Sequence, residues 1–228
     1  MSPRRLNPRL WDADWLVLQG MAAIIRDLVS SQVFARQQVL DFGCGDMPYR
    51  SLIEGRGARY LGADFDQLAD VRIAADGSIP VADRSCDLVL SIQVLEHVRD
   101  LGRYFAEVRR VLKPGGKLIL STHGTWLYHP HPEDHWRWTR TGLVIEIERH
   151  GFHVTQIHPV VGPLATTSMV RLAGFSHFLR RTPLVGGVLS ACLAIIMNFR
   201  GILEDSITPA EFKYDNGSVY VTLCELAP

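Results

Sequence analysis

Cysteine is scarce in this chain, and Cys44, Cys86, Cys192 and Cys224 are scattered with no C-x-x-C pair. That spacing argues against a zinc ribbon or a disulfide framework and points to a reducing cytoplasm. Excess charge is also missing. The 24 Lys and Arg balance 24 Asp and Glu, so no net field draws nucleic acid, and no nucleic-acid partner is expected. The basic cluster Arg4, Arg5 and Arg9 is too short to alter this and reads as a solvated tail. No uninterrupted apolar stretch precedes Trp11, so no signal peptide is expected, and there is no internal repeat. What the chain does have is apolar content. At 47% hydrophobic and 21% charged over 228 residues, it can bury a full core as one domain with an elaboration.

Apolar positions at helical spacing predict a helix over Trp11–Val29. Strands are predicted at Val39–Phe42, Arg59–Phe65, Val71–Ala75, Asp87–Ile92, Lys117–Thr122, Phe152–His158 and Ser218–Leu223. Helices are expected over Met47–Glu54, over Leu101–Leu112 with a stop at Lys113–Gly116, over Thr141–His150, and through Leu164–Leu203. This alternation implies an α/β fold: a Rossmann-like, mostly parallel seven-stranded sheet with helices on both faces. The final strand is expected to be antiparallel, at or near a sheet edge, after a helical C-terminal insertion. The expected layout is a single domain: a helical cap (1–38), a core (39–160) with a lid (123–139), a helical insertion (161–217) and the final strand (218–228).

The first strand stops at the turn Gly43-Cys44-Gly45, where backbone lies bare to a ligand. A dinucleotide turn needs a third glycine, but that position is Pro48, and Asp46 would repel a pyrophosphate. An acid there suits a cationic ligand without phosphates, and S-adenosylmethionine fits. Asp64 closes the second strand about 20 residues on, the distance of an acid that grips ribose hydroxyls; its alternative is a helix N-cap. Asp76-Gly77 ends the third strand, either facing the adenine amino group or as an ordinary turn.

Four segments, VLDFGCG, YLGADFD, ADGSIPVADRSCDLVLSIQVLEHV and VLKPGGKLILST, stand in order between Val39 and Phe152. Together they resemble the class I S-adenosylmethionine-dependent methyltransferases of the type 11 small-molecule group. The resemblance implies that Gly43 and Gly45 admit the methionyl part of the cofactor, with Asp41 at its polar end. It implies Asp64 as the ribose acid, Phe65 packed on adenine, Asp76 and Gly77 as the adenine loop, and Ser91 and Gln93 lining the cofactor. The pair Glu96-His97 belongs to the same signature and is read mainly as structural.

The stretch His123–Thr139 follows the fifth strand and resembles the H-x-x-P-x-D-x-W-R-[WY]-T segment of bacterial type 11 enzymes. It reads as a lid whose His129, Trp136 and Arg137 contact an acceptor, or as a self-packed lid in which Arg137 pairs with Asp134. His123 and His135 are the candidate general bases, since histidine can take a hydroxyl proton near neutrality. A metal among His129, His131 and His135 is not expected, because no ligand spacing such as H-E-x-x-H accompanies them. The apolar run Pro183–Phe199 is shorter than a membrane span needs. It reads first as a buried helix or homodimer face and second as a peripheral membrane contact. The expected activity is methyl transfer to a small molecule, led by O-methylation of a saccharide or secondary metabolite. The alternatives are a lipid-linked or isoprenoid acceptor at a membrane, and a non-catalytic cofactor-binding regulator.

Overall fold

The computed structural model describes residues 4–227; residues 1–3 and 228, the outer ends of the expected cap and final strand, lie outside the described residues. The elements are α1 (Trp15–Gln32), β1 (Gln38–Phe42), α2 (Arg50–Glu54), β2 (Arg59–Asp64), β3 (Val71–Arg72) and β4 (Cys86–Ile92). A short 3-10 helix (Leu95–His97) precedes α3 (Leu101–Val111), β5 (Leu112–His123), α4 (Arg140–Arg149) and β6 (Phe152–Pro159). The chain closes with α5 (Pro163–Leu179), α6 (Gly186–Ile207), α7 (Ala210–Asp215) and β7 (Val219–Leu226).

The strands form one sheet in the order β3-β2-β1-β4-β5-β7-β6. The first five run parallel, and β7 pairs antiparallel with both β5 and β6. The edge is therefore β6, with β7 one place inside it. The chain winds one way from β1 to β3 and the other way from β4, so β1 and β4 flank the switch point where such sheets take ligands. Alternating side chains divide the core. On one face, Met21, Ile25, Leu28 and Val29 of α1 meet Leu88, Leu90, Ile92 and Val221. On the other, Phe105 and Val108 of α3 and Leu143 and Ile147 of α4 cover Leu40, Val89, Leu118 and Leu120. Each such side chain contributes about 1.5–3 kcal/mol on burial. Side chains cap the second layer's helices: Asp100 accepts from the Arg103 amide at 2.9 Å, and Thr139 from that of Gly142 at 3.1 Å.

Several bounds differ from expectation. The helix after the glycine turn shrinks to five residues and β3 to two, because the loops before them are spent on turns around the cleft. Lys113–Gly116 does end α3, but the chain passes straight into β5.

The largest correction concerns α6. It runs 22 residues, longer than the apolar run predicts, and is long and apolar enough to cross a membrane by length and composition. It is not a buried core helix. Its buried stripe is Gly186, Ser190, Ala194, Asn198 and Gly201, while Val188, Leu189, Ile196, Phe199, Ile202, Leu203 and Ile207 are exposed. Small residues let the backbone approach: a Cβ on Gly201 would lie 2.9 Å from Leu16 Cδ2. Asn198 donates to the carbonyls of Leu10 and Asp12 at 2.7 and 3.0 Å. The helix packs through its thin side and turns its bulky side outward.

Candidate functional site

At the carboxyl edge of β1, Gly43 has φ +81°, and a Cβ there would sit 2.4 Å from Val94 Cγ2. Gly45, at φ +52°, faces open space. Bare backbone is thus required at one glycine and available at the other. Asp41 is buried beneath them, and Tyr60 Oη donates to its Oδ2 at 2.5 Å. Burial pushes the Asp41 carboxyl up to about 7, against the opposing pull of Tyr60 and Arg5. Arg5 donates to the Ile92 carbonyl at 3.4 Å and Leu6 is buried. The basic N-terminal segment is therefore packed over the cleft, not a solvated tail.

Asp64 closes β2 with its carboxylate turned to the glycine loop, accepting from Gly45 N at 2.8 Å and from Phe65 N at 2.7 Å. Turns, not a helix, follow β2, so the N-cap alternative is not realised. Oδ1 also accepts from Asp66 N at 3.4 Å, so Oδ2 is the oxygen that keeps a lone pair for a ribose hydroxyl. Phe65 is 58% exposed beside it, a free aromatic face at the rim. Asp76 stands exposed in a tight turn with Gly77 at φ +85°. Its carboxylate accepts from Ser78 N, Ser78 Oγ and Arg103 at 3.0, 2.7 and 2.9 Å. Gln93 takes φ +59° at the end of β4 and is tied to Ser121 through its amide and Nε2. Ser91 departs from expectation: it is wholly buried within β4 beside Tyr104, so its side chain does not line the cleft.

The segment 124–139 is irregular and folds back across the ends of β4 and β5. Its backbone is tied to the turn after β4, with His135 N donating to Glu96 O at 2.8 Å, and Trp138 N donates to His123 O at 3.1 Å. Arg137 departs from the expected acceptor role. Both its terminal nitrogens bond the Asp134 carboxylate at 2.6 Å, and others reach the carbonyls of Trp126, Leu127 and Trp136. Its donors are consumed in holding the lid together, and Arg137 chiefly holds the Asp134 carboxyl well below the usual carboxylate range. Trp136 is exposed, stacked on Trp138 with ring centroids 5.8 Å apart, its Nε1 donating to Val98 O.

The candidate bases are separated by their surroundings. His135 Nε2 lies 3.1 Å from Glu133 Oε2 on the outer part of the lid. His123, at the end of β5, is buried and stacked on Trp126. Its Nε2 lies 3.2 Å from His129 Nε2 and 3.4 Å from Glu96 Oε1. Burial pushes the His123 imidazole down to about 3, so it is neutral near pH 7 and too weak a base for proton abstraction. Glu96 is wholly buried; Thr122 donates to its Oε2 at 3.0 Å, and burial pushes its carboxyl up to about 7. Tyr60, Arg5 and Glu96 escape a sequence reading. Tyr60 looks like any strand aromatic, Arg5 like a tail charge, and only the hydrophobic setting of Glu96 hints at its burial.

A family model described as a methyltransferase domain matches residues 40–120. A "Probable S-adenosylmethionine-dependent methyltransferase" of Mycolicibacterium smegmatis is 32% identical over 107 residues, covering 42% of either chain. The ubiquinone biosynthesis O-methyltransferase of Cereibacter sphaeroides is 31% identical over 137 residues, 54% of this chain and 53% of its own. The chain thus matches about half the length of these relatives. A solved S-adenosylmethionine-dependent methyltransferase from Mesorhizobium loti superposes with a TM-score of 0.55 at 17% identity, covering 96% of this chain and 99% of its own, a likeness of fold.

Proposed function

We propose that this chain, a member of the class I S-adenosylmethionine-dependent methyltransferases of the type 11 group, transfers a methyl group from that cofactor to a small-molecule acceptor beneath the 123–139 lid. The observation that carries this reading is the Asp64 carboxylate joined to Gly45 N at 2.8 Å, on a glycine loop that opens to solvent. Asp64 is placed to hold a ribose diol, Phe65 to cover adenine, and Asp41 to face the ammonium end. The cofactor supplies a methyl on sulfonium, already a good leaving group, so the protein chiefly aligns the partners and excludes water. The lid does both. For a hydroxyl acceptor, His135 backed by Glu133 is the group able to take the proton as the oxygen bonds to the methyl carbon.

O-methylation of a saccharide or secondary metabolite is the leading class, supported by the stacked Trp136 and Trp138 at the lid. The test is calorimetry with S-adenosylhomocysteine and with NAD, followed by S-adenosylhomocysteine release across a panel of sugars, phenols and amines. Tight NAD binding, or no turnover with any acceptor despite cofactor binding, overturns it; the second outcome favours a non-catalytic regulator.

A second reading has its own observation. The outward face of α6, with exposed Phe175 and Phe178 on α5 and the neighbouring Arg180 and Arg181, favours a lipid-linked acceptor met at an anionic membrane surface. On this reading the protein is cytoplasmic and membrane-peripheral. Cosedimentation with anionic vesicles, lost in Ile196→Asp, supports it. A concentration-dependent dimer lost in the same variant shows instead that a second copy covers the face.

A further inference from the structure

One donor atom from each of Glu96, His123 and His129 converges behind the lid, all within 4.8 Å of one another. Their proton count does not close. His129 Nδ1 lies 3.5 Å from an Asp134 oxygen without a hydrogen bond, and a proton held on that side leaves a lone pair on Nε2. A proton on His123 Nε2 can then serve His129 at 3.2 Å or Glu96 at 3.4 Å, but not both well. Glu96 Oε1, buried to 0% exposure, is left with no hydrogen-bond partner. A buried carboxyl oxygen with no partner is costly whether the group is charged or protonated, and a cation there removes the deficit.

The spacing suits one. Two ligands at about 2.1 Å from a metal lie about 3.0 Å apart in octahedral and about 3.4 Å apart in tetrahedral geometry. The two shortest edges here, 3.2 and 3.4 Å, fall on that range. Outer partners are also built in. Thr122 Oγ1 holds Glu96 Oε2, Asp134 stands behind His129, and Arg137 clamps Asp134 through both oxygens, while His123 Nδ1 is buried without a hydrogen-bond partner. Such outer groups fix ring orientation and ligand basicity. His97 adds a third imidazole nearby. Its Nδ1 sits 2.6 Å from the Glu133 carbonyl, which makes that nitrogen the donor and frees Nε2, 4.0 Å from Glu96 Oε1.

We propose that Glu96, His123 and His129 bind one divalent first-row transition-metal ion, with His97 positioned to complete the set. Two imidazoles and one carboxylate select zinc, iron(II) or cobalt(II) over magnesium or calcium, which prefer oxygen. The ion has unfilled positions toward the lid. There it orients an acceptor oxygen and lowers the pKa of a bound hydroxyl. That role rests on the methyl-transfer reading; the binding itself does not.

The experiment uses tag-free, chelator-treated protein titrated with cobalt(II), followed by visible d–d absorption, with metal content measured after zinc loading. One ion per chain and a d–d band displaced by zinc are expected. His123→Ala and His129→Ala should abolish the band, and Asp134→Asn should weaken affinity about 10–100-fold. The same alanine change at the distant exposed His153 should alter nothing. No band, or a band that survives His129→Ala and is lost in His131→Ala, overturns the site. Circular dichroism and S-adenosylhomocysteine calorimetry on every variant show that the fold persists. Metal without cofactor binding sinks the methyl-transfer reading alone, and cofactor without metal sinks this one alone.

Discussion

Tyr60 donates a 2.5 Å hydrogen bond to Asp41 from the adjacent strand, inside the layer that carries the glycine loop. The carboxyl beneath the cleft is thereby fixed in orientation yet held up to about 7 by burial. The unfolded chain loses this proton near 3.8, so between 3.8 and about 7 only the folded form keeps it. Stability from this group therefore declines as pH rises through that window and levels off above it. Asp41→Asn should be more stable than the parent at pH 8, with the advantage shrinking by pH 5, as read from urea midpoints. A bound ammonium favours the ionised form, so S-adenosylhomocysteine affinity should rise through pH 7 with proton release. In Asp41→Asn that pH dependence should vanish.

Loss of the Asp64 carboxylate removes both the diol acceptor and the partner of Gly45 N. Asp64→Ala should weaken S-adenosylhomocysteine binding by about 1–3 kcal/mol in calorimetry. An unchanged isotherm would remove Asp64 from the cofactor site.

Gly43 and Val94 touch across the switch point. Gly43→Ala combines φ +81° with a Cβ 2.4 Å from Val94 Cγ2, and should cost about 1–3 kcal/mol in stability. Adding Val94→Ala should recover the steric part and leave the backbone part, a coupling that a double-mutant cycle reads directly.

Arg137→Ala leaves the Asp134 carboxylate without its clamp. Because Arg137 keeps partial exposure, the expected loss is about 2–4 kcal/mol, short of a fully dry pair. Denaturation should register it while S-adenosylhomocysteine affinity stays near parental, since the cofactor candidates proposed above lie outside the 123–139 lid. A large loss of affinity instead would tie the lid to the cofactor.

The two sides of α6 should respond oppositely. Asn198→Ala strips a donor from the Leu10 and Asp12 carbonyls and should cost about 1–3 kcal/mol. Ile196→Ser, on the 65% exposed outer face, should stay within about 0.5 kcal/mol by urea denaturation.

Strands β1 and β2 were legible because each is a short apolar run halted at Gly43 or Asp64, and those halting residues are the cofactor-end candidates. The face α6 turns inward was not legible. Hydropathy registers that Leu189 and Ile196 are apolar but not that Gly186, Ser190 and Ala194 are the ones that pack. Arg137 offered both an acceptor contact and a clamp, and only the fold shows its donors already spent. Glu96 and His123 meet because β4 and β5 pair from Val89↔Leu118 to Ile92↔Ser121, a register that no local spacing announces. Ser91 lies in a motif expected to face the cofactor, yet its own place in the pleat turns it into the core.

The antiparallel strand β7 occupies an interior place in the sheet although it follows the other six strands in the chain. Until Val219–Leu226 leaves the ribosome, β5 has no neighbour on that side and β6 has no partner at all. The nascent chain must therefore carry an open sheet edge through the whole of α5, α6 and α7, the stretch that is also richest in outward apolar side chains. Maturation of this protein is in that sense a race between the arrival of eight residues and the capture of an unfinished sheet by another chain. Slowed translation through β7 or loss of that strand should lower soluble yield more than damage of equal size in α1.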